Sequence, residues 1–453
     1  MLNLSDKKVL VVGLGRTGVS VSKLLAMHGA AVTVTDFRGR EQLESQVAAL
    51  SGHSVEFRFG EHDESMFLDA DLIVPSPGVP EIDPIKHAIA YGIEVLSELE
   101  VASRFCMAPV FAITGTNGKT TATAFLHELF TMAGYNSVLV GNNDLPFSSV
   151  AARIESLDAV VLEVSSYQLI HAKTFHPRAA VLLNITPDHL ERHGTMGKYR
   201  ETKYRIFRNQ TEPDLAILNA DDPLTRDIKP ETRAETLYFS QKSEPEQGVF
   251  IRGDGIIARV GGEERELASV SGLKLRGKHN IENIAGALAA SLALPIENGI
   301  HARAVREFRG VEHRIEPLDD VNGVHFYNDS KSTNIESLRV ALDSFGEPVV
   351  LIAGGRGKGI DYAILSAVIE EKVKGLALMG EDAGLMESAW GELAPTLRAA
   401  SLGEGVERAF GMASPGDTVL FSPACASFDM FDNFEHRGRC FKEEVKQLGR
   451  KEP

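Results

Sequence analysis

The chain has 453 residues, of which 43% are hydrophobic and 24% are charged, and its formal net charge is −16. A single hydrophobic core stops growing at about 250–300 residues, so the length predicts two or three domains of a globular protein rather than a disordered or fibrous one. The acidic balance, without a Lys/Arg-rich block, argues against nucleic acid as a partner. Three scattered cysteines are too few for a disulfide scaffold or a zinc site.

The N-terminal apolar run is short, broken by glycine and followed by Arg16, so we expect neither a signal peptide nor a membrane span and predict a cytoplasmic protein. Short β-branched runs then alternate with helical stretches, which is typical of buried parallel strands in an α/β fold. The predicted strands are, in chain order, KKVLVV, AVTVT, DLIVP, PVFAI, SVLV, DAVVL, AAVLL, LAIL, PVVLIAG, GLALM and TVLF.

Turn-rich loops near residues 13, 115 and 354 each follow a predicted strand, which indicates three sheets, one per domain. We place a Rossmann-like domain at 1–97, a central P-loop ATPase-like domain with a mostly parallel sheet at 98–310, and a Rossmann-like α/β domain at 311–453. Residues 235–272 predict short antiparallel strands inserted at the edge of the middle sheet.

The first glycine-rich loop, VVGLGRTG, has Gly13, Gly15 and Gly18 in G-x-G-x-x-G spacing between a strand and a helix. Glycines there let backbone amides approach a diphosphate, and Asp36 at the end of the next strand could bond a ribose or a base. The motif alone is compatible with NAD, with another nucleotide or with tight packing. A second phosphate loop downstream favours a diphosphate-linked sugar over a dehydrogenase cofactor.

The second loop, Gly115-Thr116-Asn117-Gly118-Lys119-Thr120, is shorter than the usual G-x-x-x-x-G-K-[ST]. Its amides still form an anion site at a helix start, Lys119 adds a positive charge and the Thr120 hydroxyl can bind Mg²⁺. The helix that follows directs Phe125, Leu126, Leu129 and Phe130 to one side. This loop predicts ATP binding, with a plain glycine turn as the weaker alternative.

The segments around this loop occur in a fixed order that resembles the Mur ligases. They are GTNGKTT, VVLEVSSYQL, LLNITPDHLERH, KYRETKYRIF, GKHNIENIAGALAA, EHRIE, NDSKSTN and SPACASFDMFDNFEHRG. The resemblance covers all three predicted domains. Within the family, the sequence is most similar to members that add D-glutamate to UDP-N-acetylmuramoyl-L-alanine. The sequence departs from the usual family pattern at Asn143-Asp144 and at Arg356.

The resemblance implies an ATP-dependent ligase that activates the substrate carboxylate as an acyl phosphate, with two Mg²⁺ ions. It implies catalytic roles for Lys119, His189, Lys203, Arg314 and Lys331. It also implies an ATP site formed by Gly115, Thr116, Asn117, Gly118, Lys119, Thr120, Thr121, Asn280, Asn283, Arg314, Asp329 and Lys331. The implied metal ligands are Thr120, Glu163, His189 and Lys203.

Lys203 is the least intuitive of these residues. The family lysine at this position is carbamylated by CO₂, which converts a cation into an anionic metal ligand. KYRETKYRIF by itself predicts an amphipathic helix with Tyr199, Ile206 and Phe207 near one face, where Lys203 is more often a solvated surface lysine. The flanking motifs favour the carbamylated alternative.

The resemblance also implies two substrate sets. The UDP-substrate set is Gly15, Arg16, Thr17, Asp36, Arg38, Gly78 and Asn142. The D-glutamate set is Thr333, Lys358, Ser427 and Phe434, and Ser427 could equally be a turn serine. In the ATP set, Asn280 and Asn283 lie at a helix start, where they could instead serve as an N-cap. The expected partners are small molecules, with no nucleic acid and no membrane, and we expect a monomer.

Three alternatives compete with this interpretation. A folylpolyglutamate synthase, or a ligase for another amino acid, shares the phosphate loop, but the synthase lacks the N-terminal G-x-G-x-x-G domain. A non-catalytic nucleotide-binding regulator would not need all six of these side chains: Lys119, Glu163, His189, Lys203, Arg314 and Lys331. An NAD oxidoreductase would show nicotinamide absorbance changes on turnover.

Overall fold

The computed structural model describes residues 3–142, 145–151, 157–228, 232–275, 277–357, 359 and 361–450, with only the backbone of Glu191. The described residues form two compact units, one made of residues within 1–272 and 281–306 and the other of residues within 273–280 and 307–453. The domain boundaries at 97 and 310 therefore stay predictions.

The α-helices, in chain order, are α1 Arg16–Met27, α2 Glu44–Ala48, α3 Glu64–Leu68, α4 Asp83–Ala90, α5 Glu98–Ser103, α6 Lys119–Met132, α7 Ser166–Leu169, α8 Leu190–His193, α9 Met196–Tyr204, α10 Pro223–Arg226, α11 Lys278–Ser291, α12 Ile300–Glu307, α13 Ile335–Asp343, α14 Ser366–Lys372, α15 Ala383–Trp390, α16 Leu402–Met412 and α17 Phe434–Leu448. Short 3-10 turns lie at Arg40–Leu43, Phe147–Ser149, Arg205–Phe207, Val270–Gly272 and Tyr362–Leu365. Within the described ranges, none of the helices has the length and hydropathy needed to cross a membrane.

The first sheet has five parallel strands in the order β3-β2-β1-β4-β5. They are β1 Lys8–Val12, β2 Ala31–Asp36, β3 Val55–Phe59, β4 Leu72–Pro75 and β5 Glu94–Val95. Val9 and Val11 pack into one apolar cluster, and Leu10 and Val12 pack into another on the opposite face. Both faces are covered, as expected of a parallel sheet, so the loops at its carboxyl edge are left to bind ligands.

The second sheet has nine strands in the order β14-β13-β12-β11-β10-β9-β6-β8-β7. They are β6 Val110–Thr114, β7 Ser137–Gly141, β8 Ala159–Glu163, β9 Ala179–Leu182, β10 Leu215–Asn219, β11 Glu235–Ser240, β12 Gly248–Arg252, β13 Gly255–Val260 and β14 Glu263–Ser269. The β6 strand lies between β8 and β9, parallel to both. The phosphate loop therefore leaves the sheet from a buried strand that has neighbours on either side.

The third sheet, in the second unit, has six strands in the order β15-β16-β20-β17-β18-β19. They are β15 Glu316–Pro317, β16 His325–Asn328, β17 Val349–Gly354, β18 Val373–Met379, β19 Thr396–Arg398 and β20 Thr418–Phe421. All pairings are parallel except that of β15 with β16. Leu351 and Val350 of β17 face different apolar clusters, so this sheet is also covered on both faces.

One expectation for the middle sheet needs correction. Residues 235–272 do extend its edge, but β11 pairs parallel with β10, and β12 pairs parallel with β11. Only the pairing of β12 with β13 and the pairing of β13 with β14 are antiparallel. ETLYFS therefore continues the parallel sheet, which turn composition alone does not show.

Candidate active site

The phosphate loop is a tight turn between β6 and α6 that depends on two glycines. Gly115 and Gly118 have φ values of +158° and +83°, the second in the left-handed region that favours glycine. A Cβ atom on Gly118 would lie 1.9 Å from Oδ1 of Asn283, so the Asn283 side chain packs directly on the loop. This places Asn283, a predicted ATP residue, next to Gly118.

A side chain that the sequence interpretation did not single out, Asn184, holds the phosphate loop from the segment that follows β9. The Thr116 amide donates to Asn184 O at 3.0 Å, and the Asn117 amide donates to Asn184 Oδ1 at 2.9 Å. In return, Asn184 Nδ2 donates to Asn117 O. The first intrahelical bond of α6 runs from the Ala122 amide to Gly118 O, so the amides of Thr120 and Thr121 come before it, where a helix start binds anions.

Two predicted catalytic lysines meet at one carbonyl oxygen of this loop. Lys119 Nζ donates to Gly115 O at 2.9 Å and to Thr116 O at 2.8 Å, and Lys203 Nζ donates to the same Gly115 oxygen at 2.8 Å. The Lys203 side chain is only 1% exposed. Burial, followed by the charge of Lys119, lowers the pKa of Lys203 to about 6. The solvated surface lysine that the helix pattern alone favours is therefore wrong.

The Tyr199 ring joins several of these groups. Its hydroxyl lies 3.1 Å from Thr116 Oγ1, and Lys203 Nζ lies 4.8 Å from the ring centre. The His189 ring lies 6.5 Å from the Tyr199 ring and 4.9 Å from that of Tyr167. The fold thus places both His189 and Lys203 near one buried tyrosine.

His189 itself caps α8 in an unusual backbone conformation. Its φ is +53°, in the left-handed region that non-glycine residues seldom adopt, and its side chain is 43% exposed. Its Nε2 lies 3.4 Å from Oδ2 of Asp188. Such strain persists only where the surroundings hold it, and it is concentrated at functional sites.

Glu163, at the carboxyl end of β8, is the predicted ligand whose surroundings best fit a cation. It pairs with Ile113 of β6, which places it beside the phosphate loop. Its side chain is 3% exposed, and Oε1 accepts from Asn142 Nδ2 at 3.0 Å. Oε2 is buried and has no hydrogen-bond partner within the part of the chain that the structure describes. A buried carboxylate oxygen in this position is suited to Mg²⁺.

The three glycines of the first loop differ in what surrounds them. A Cβ on Gly18 would lie 2.0 Å from Gly13 O, and Gly13 has a φ of +92°, so both are needed by the turn itself. Around Gly15, by contrast, nothing lies within 4 Å of the position of a Cβ. Gly15 therefore leaves open space at the start of α1, beside the exposed Arg16 and the half-buried Thr17.

Asp36 is almost fully buried and is already hydrogen-bonded within the protein. It accepts from the Leu14 amide at 2.7 Å and from Arg38 Nε and Nη2 at 2.9 and 2.7 Å. Burial would raise the pKa of Asp36, but the hydrogen bonds from Arg38 and Leu14 lower it to about 2. The carboxylate thus holds the Arg38 guanidinium at the carboxyl edge of the sheet. Gly78 lies in an exposed turn after β4, with open space around it.

The second unit brings its own predicted residues together around Asp329. The Asp329 carboxylate accepts from Ser422 Oγ at 2.8 Å and from the Ile315 amide at 3.2 Å, and burial raises its pKa to about 7. Arg314 lies between His313 and Ile315, whose φ values of +65° and +44° are both left-handed. Asp329 thus anchors the strained loop that carries Arg314.

Phe434, a predicted D-glutamate residue, begins α17 in this unit. Lys331 Nζ lies 5.3 Å from the Phe434 ring centre, Ser427 is buried, and Thr333 is half-buried. Lys358 lies outside the described residues. Arg437, not predicted from the sequence, is buried and donates to Ser330 O and Cys425 O, which ties the loops after β16 and β20 together.

Three consecutive family descriptions match the chain: "Mur ligase MurD-like, N-terminal domain" at residues 7–97, "Mur ligase middle domain" at 113–291 and "Mur ligase, glutamate ligase domain" at 313–425. A relative from Geotalea uraniireducens (strain Rf4) is 45% identical over 448 residues, which are 99% of each chain. The chain belongs to the Mur ligase family. That relative is named UDP-N-acetylmuramoylalanine–D-glutamate ligase, as is one from Pelobacter propionicus at 44% identity over 99% of this chain and 100% of its own.

Solved Mur ligase structures share the fold. UDP-N-acetylmuramate-alanine ligase MurC from Thermotoga maritima aligns with a TM-score of 0.57 at 20% identity, over 97% of this chain and 99% of that one. MurF from Acinetobacter baumannii aligns with a TM-score of 0.59 at 14% identity, over 97% and 93% of the two chains. The predicted α/β fold with three mostly parallel sheets is confirmed.

The predicted metal set differs from a metal site made of protein ligands alone. Among the described side chains, no group of three or more His, Cys, Asp and Glu residues is arranged to hold an ion. The predicted set contains one carboxylate, one histidine, the Thr120 hydroxyl and Lys203. Such a set fits Mg²⁺, which keeps several waters and commonly binds phosphate oxygens alongside one or two carboxylates.

Proposed function

We propose that this protein is an ATP-dependent carboxylate–amine ligase that adds D-glutamate to UDP-N-acetylmuramoyl-L-alanine in the synthesis of peptidoglycan precursors. The choice of substrates is supported by full-length relatives that are 43–45% identical and named for this reaction. The observation that carries the chemistry is the pair of lysines on Gly115 O, one of them buried and with a lowered pKa.

Nucleotide binding follows from the phosphate loop. The amides at the start of α6 and the Lys119 ammonium would face the β- and γ-phosphates, and Lys119 would exchange its carbonyl partners for phosphate oxygens. Asn283, packed on Gly118, borders the loop on the α11 side, and we assign it with Asn280 to the adenine region. In the second unit we assign Asp329 to the ribose, and Arg314 and Lys331 to the phosphates.

Charge compensation is the main task of the site, because ATP, the sugar-linked carboxylate and D-glutamate are all anions. At an effective dielectric constant of about 20, two unit charges 4 Å apart interact by roughly 4 kcal/mol, so one uncompensated repulsion would dominate the barrier. Thr120 and Glu163 would hold one Mg²⁺, and His189 with carbamylated Lys203 a second. These ions would neutralise phosphate charge and polarise the γ-phosphoryl group.

Lys203 suits carbamylation because only a neutral amine attacks CO₂. An ordinary lysine is almost fully protonated at neutral pH, whereas a lysine with a pKa of about 6 is mostly neutral at pH 7. The carbamate would place an anion where the Lys203 amine faces Lys119. The product would therefore be stabilised by the same neighbour that helps to deprotonate the amine.

The reaction itself would take place in two transfers. An oxygen of the L-alanyl carboxylate attacks the γ-phosphorus, the bond to ADP breaks, and an acyl phosphate forms. The amine of D-glutamate then attacks the acyl carbon, and the tetrahedral adduct loses inorganic phosphate and a proton to leave the amide. Thr333, Lys358, Ser427 and Phe434 would orient D-glutamate, while Arg16, Thr17, Asp36, Arg38, Gly15, Gly78 and Asn142 would hold the UDP-sugar.

We further propose that the enzyme acts in the cytoplasm as a monomer, with roles in cell-wall biogenesis, cell shape and cell division that follow from its product. The acceptor is tested by phosphate release with UDP-N-acetylmuramoyl-L-alanine and, in turn, D-glutamate, L-glutamate, L-lysine and diaminopimelate. We expect turnover with D-glutamate alone. With ¹⁸O in the L-alanyl carboxylate, one labelled oxygen should appear in the released phosphate, and unlabelled phosphate would exclude the acyl-phosphate route.

A further inference from the structure

Arg192, three residues after His189, joins the middle sheet's active-site segment to the first sheet. Its Nη1 donates to Pro77 O at 3.1 Å, and its Nη2 donates to Val79 O at 2.5 Å. The guanidinium also lies over the Tyr167 ring, 4.5 Å from its centre. One side chain therefore contacts both the turn after β4 and the tyrosine that packs on His189.

The turn that Arg192 holds carries Gly78, between the two carbonyls that accept its hydrogen bonds. The turn also packs on the first glycine loop, because Ser76 Oγ donates to Gly13 O, and a Cβ on Gly13 would lie 2.7 Å from Val79 Cγ2. A shift of this turn would consequently move Gly78 and disturb the packing beside the G-x-G-x-x-G motif.

Apolar packing does not fill the space behind this turn. A cavity of about 60 Å³ lies there, and among the residues that line it are Pro77, Val79, Tyr167, His171 and Arg192. A turn backed by a cavity has room to move, because protein interiors otherwise resist displacement by close packing. The two hydrogen bonds from Arg192 cross the junction beside this cavity.

On this basis, which rests on the function proposed above, we propose that Arg192 is a positioning residue for the UDP-sugar. It fixes the distance between the Gly78 turn and His189, and thereby the reach of the substrate carboxylate towards the γ-phosphoryl group. Arginine suits this role because its planar fork donates to two carbonyls at once and stacks on an aromatic ring, whereas lysine is a single point donor.

Arg192 acts on one substrate only, and this gives the proposal a specific signature. In Arg192→Ala we expect kcat/KM for UDP-N-acetylmuramoyl-L-alanine to fall by roughly 100-fold, since a misplacement of about 1 Å can cost that much. KM for ATP and for D-glutamate should stay within about twofold of the wild type. Arg192→Lys should recover only part of the loss.

A matched control separates positioning from general stability. The control is Arg205, which also donates to a backbone carbonyl, Ile170 O. Both Arg205 and Ile170 lie in the middle part of the chain, whereas Arg192 donates to the turn after β4. Hydrogen exchange on the full-length, ligand-free protein gives a readout that needs no substrate. The amides of Ser76 and Val79, which donate to Val12 O and Ser76 O, should exchange faster in the Arg192 variants and not in Arg205→Ala.

Unchanged kcat/KM for the UDP-sugar in both Arg192→Ala and Arg192→Lys would overturn the proposal. So would an equal loss for all three substrates that Arg205→Ala reproduces, because that pattern indicates a purely structural role. If the wild type released no phosphate with the UDP-sugar, the proposed function would fail instead. The anchoring of the Gly78 turn by Arg192 would then be judged by hydrogen exchange at the Ser76 and Val79 amides. Protection in the Arg192 variants equal to that in the wild type would refute it.

Discussion

At the scale of single residues, Lys203 has the most unusual proposed role, because it must be carbamylated before it can bind a metal ion. We predict that Lys203→Met lowers ligase activity by at least about tenfold, because metal ligands and the groups that orient them typically contribute that much. A short carboxylic acid such as formate should restore part of the activity by supplying the missing anion. Depletion of CO₂ should lower wild-type activity and leave the variant unaffected. The check is phosphate release at several bicarbonate concentrations, and equal CO₂ dependence in both proteins would contradict the carbamate.

Burial of Lys203 should also lower the free energy of unfolding, by an amount that depends on pH. Its pKa is about 6 in the folded protein and near 10.5 when unfolded, so between these values the unfolded chain binds more protons and stability rises with pH. The loss of stability is complete below pH 6 and absent above pH 10.5. In CO₂-free buffer without ligands, Lys203→Met should therefore exceed the wild type in Tm at pH 7, and the difference should shrink towards pH 10. A constant difference would indicate lost packing alone.

Glu163 shows a similar balance, because it serves function and adds little to stability. Its buried Oε2 has no hydrogen-bond partner among the described residues, so we predict that Glu163→Gln leaves Tm unchanged or higher in the absence of Mg²⁺. The same change should raise the Mg²⁺ concentration needed for half-maximal activity by about 10- to 100-fold. Paired Tm and Mg²⁺ titrations measure both effects. A large loss of Tm together with normal Mg²⁺ dependence would assign Glu163 a structural role.

At the scale of elements, two helix starts make contrasting use of glycine. Gly15, before α1, has an ordinary φ of −83° and open space around its Cβ position, whereas Gly118, before α6, has a φ of +83° and meets Asn283. We predict that Gly15→Ala keeps the wild-type Tm but raises KM for the UDP-sugar by about tenfold, because the methyl group occupies the space for the diphosphate. Gly118→Ala should cost about 1–3 kcal/mol of stability and weaken ATP binding. Equal Tm losses in the two variants would contradict the assignment of Gly15 to a ligand.

The elements also show what sequence can and cannot predict. Strands such as KVLVV and VVLIAG were predictable because strands buried on both faces are continuous apolar runs. VEFRF, now β3, and HFYN, now β16, were missed because one alternates polar residues with half-buried ones and the other is short and half polar. The motifs predicted which residues carry chemistry. The support that Asn184, Tyr199, Arg192 and Arg437 provide could not be predicted, because each acts through a contact with a residue distant in sequence.

At the scale of the whole molecule, the predicted substrate sets divide between the two units, and the chain contains a natural probe of one of them. Its single tryptophan, Trp390, is fully buried in the second unit and donates from Nε1 to Tyr362 O at 2.9 Å. Its fluorescence reports the unfolding of the third sheet, whereas far-UV circular dichroism reports the helices and strands of both units. The unfolding of the first unit can therefore be separated from that of the second.

The predicted UDP residues all lie in the first unit, so UDP should stabilise that unit selectively. At a concentration of 100 Kd, a ligand that binds only the folded state contributes about 2.7 kcal/mol. We predict that UDP moves the urea midpoint measured by circular dichroism upwards and leaves the midpoint of Trp390 fluorescence unchanged. Arg38→Ala should abolish the shift, because the guanidinium that Asp36 orients is removed. A UDP-dependent shift seen only in Trp390 fluorescence would contradict this assignment and would place nucleotide-sugar binding in the second unit.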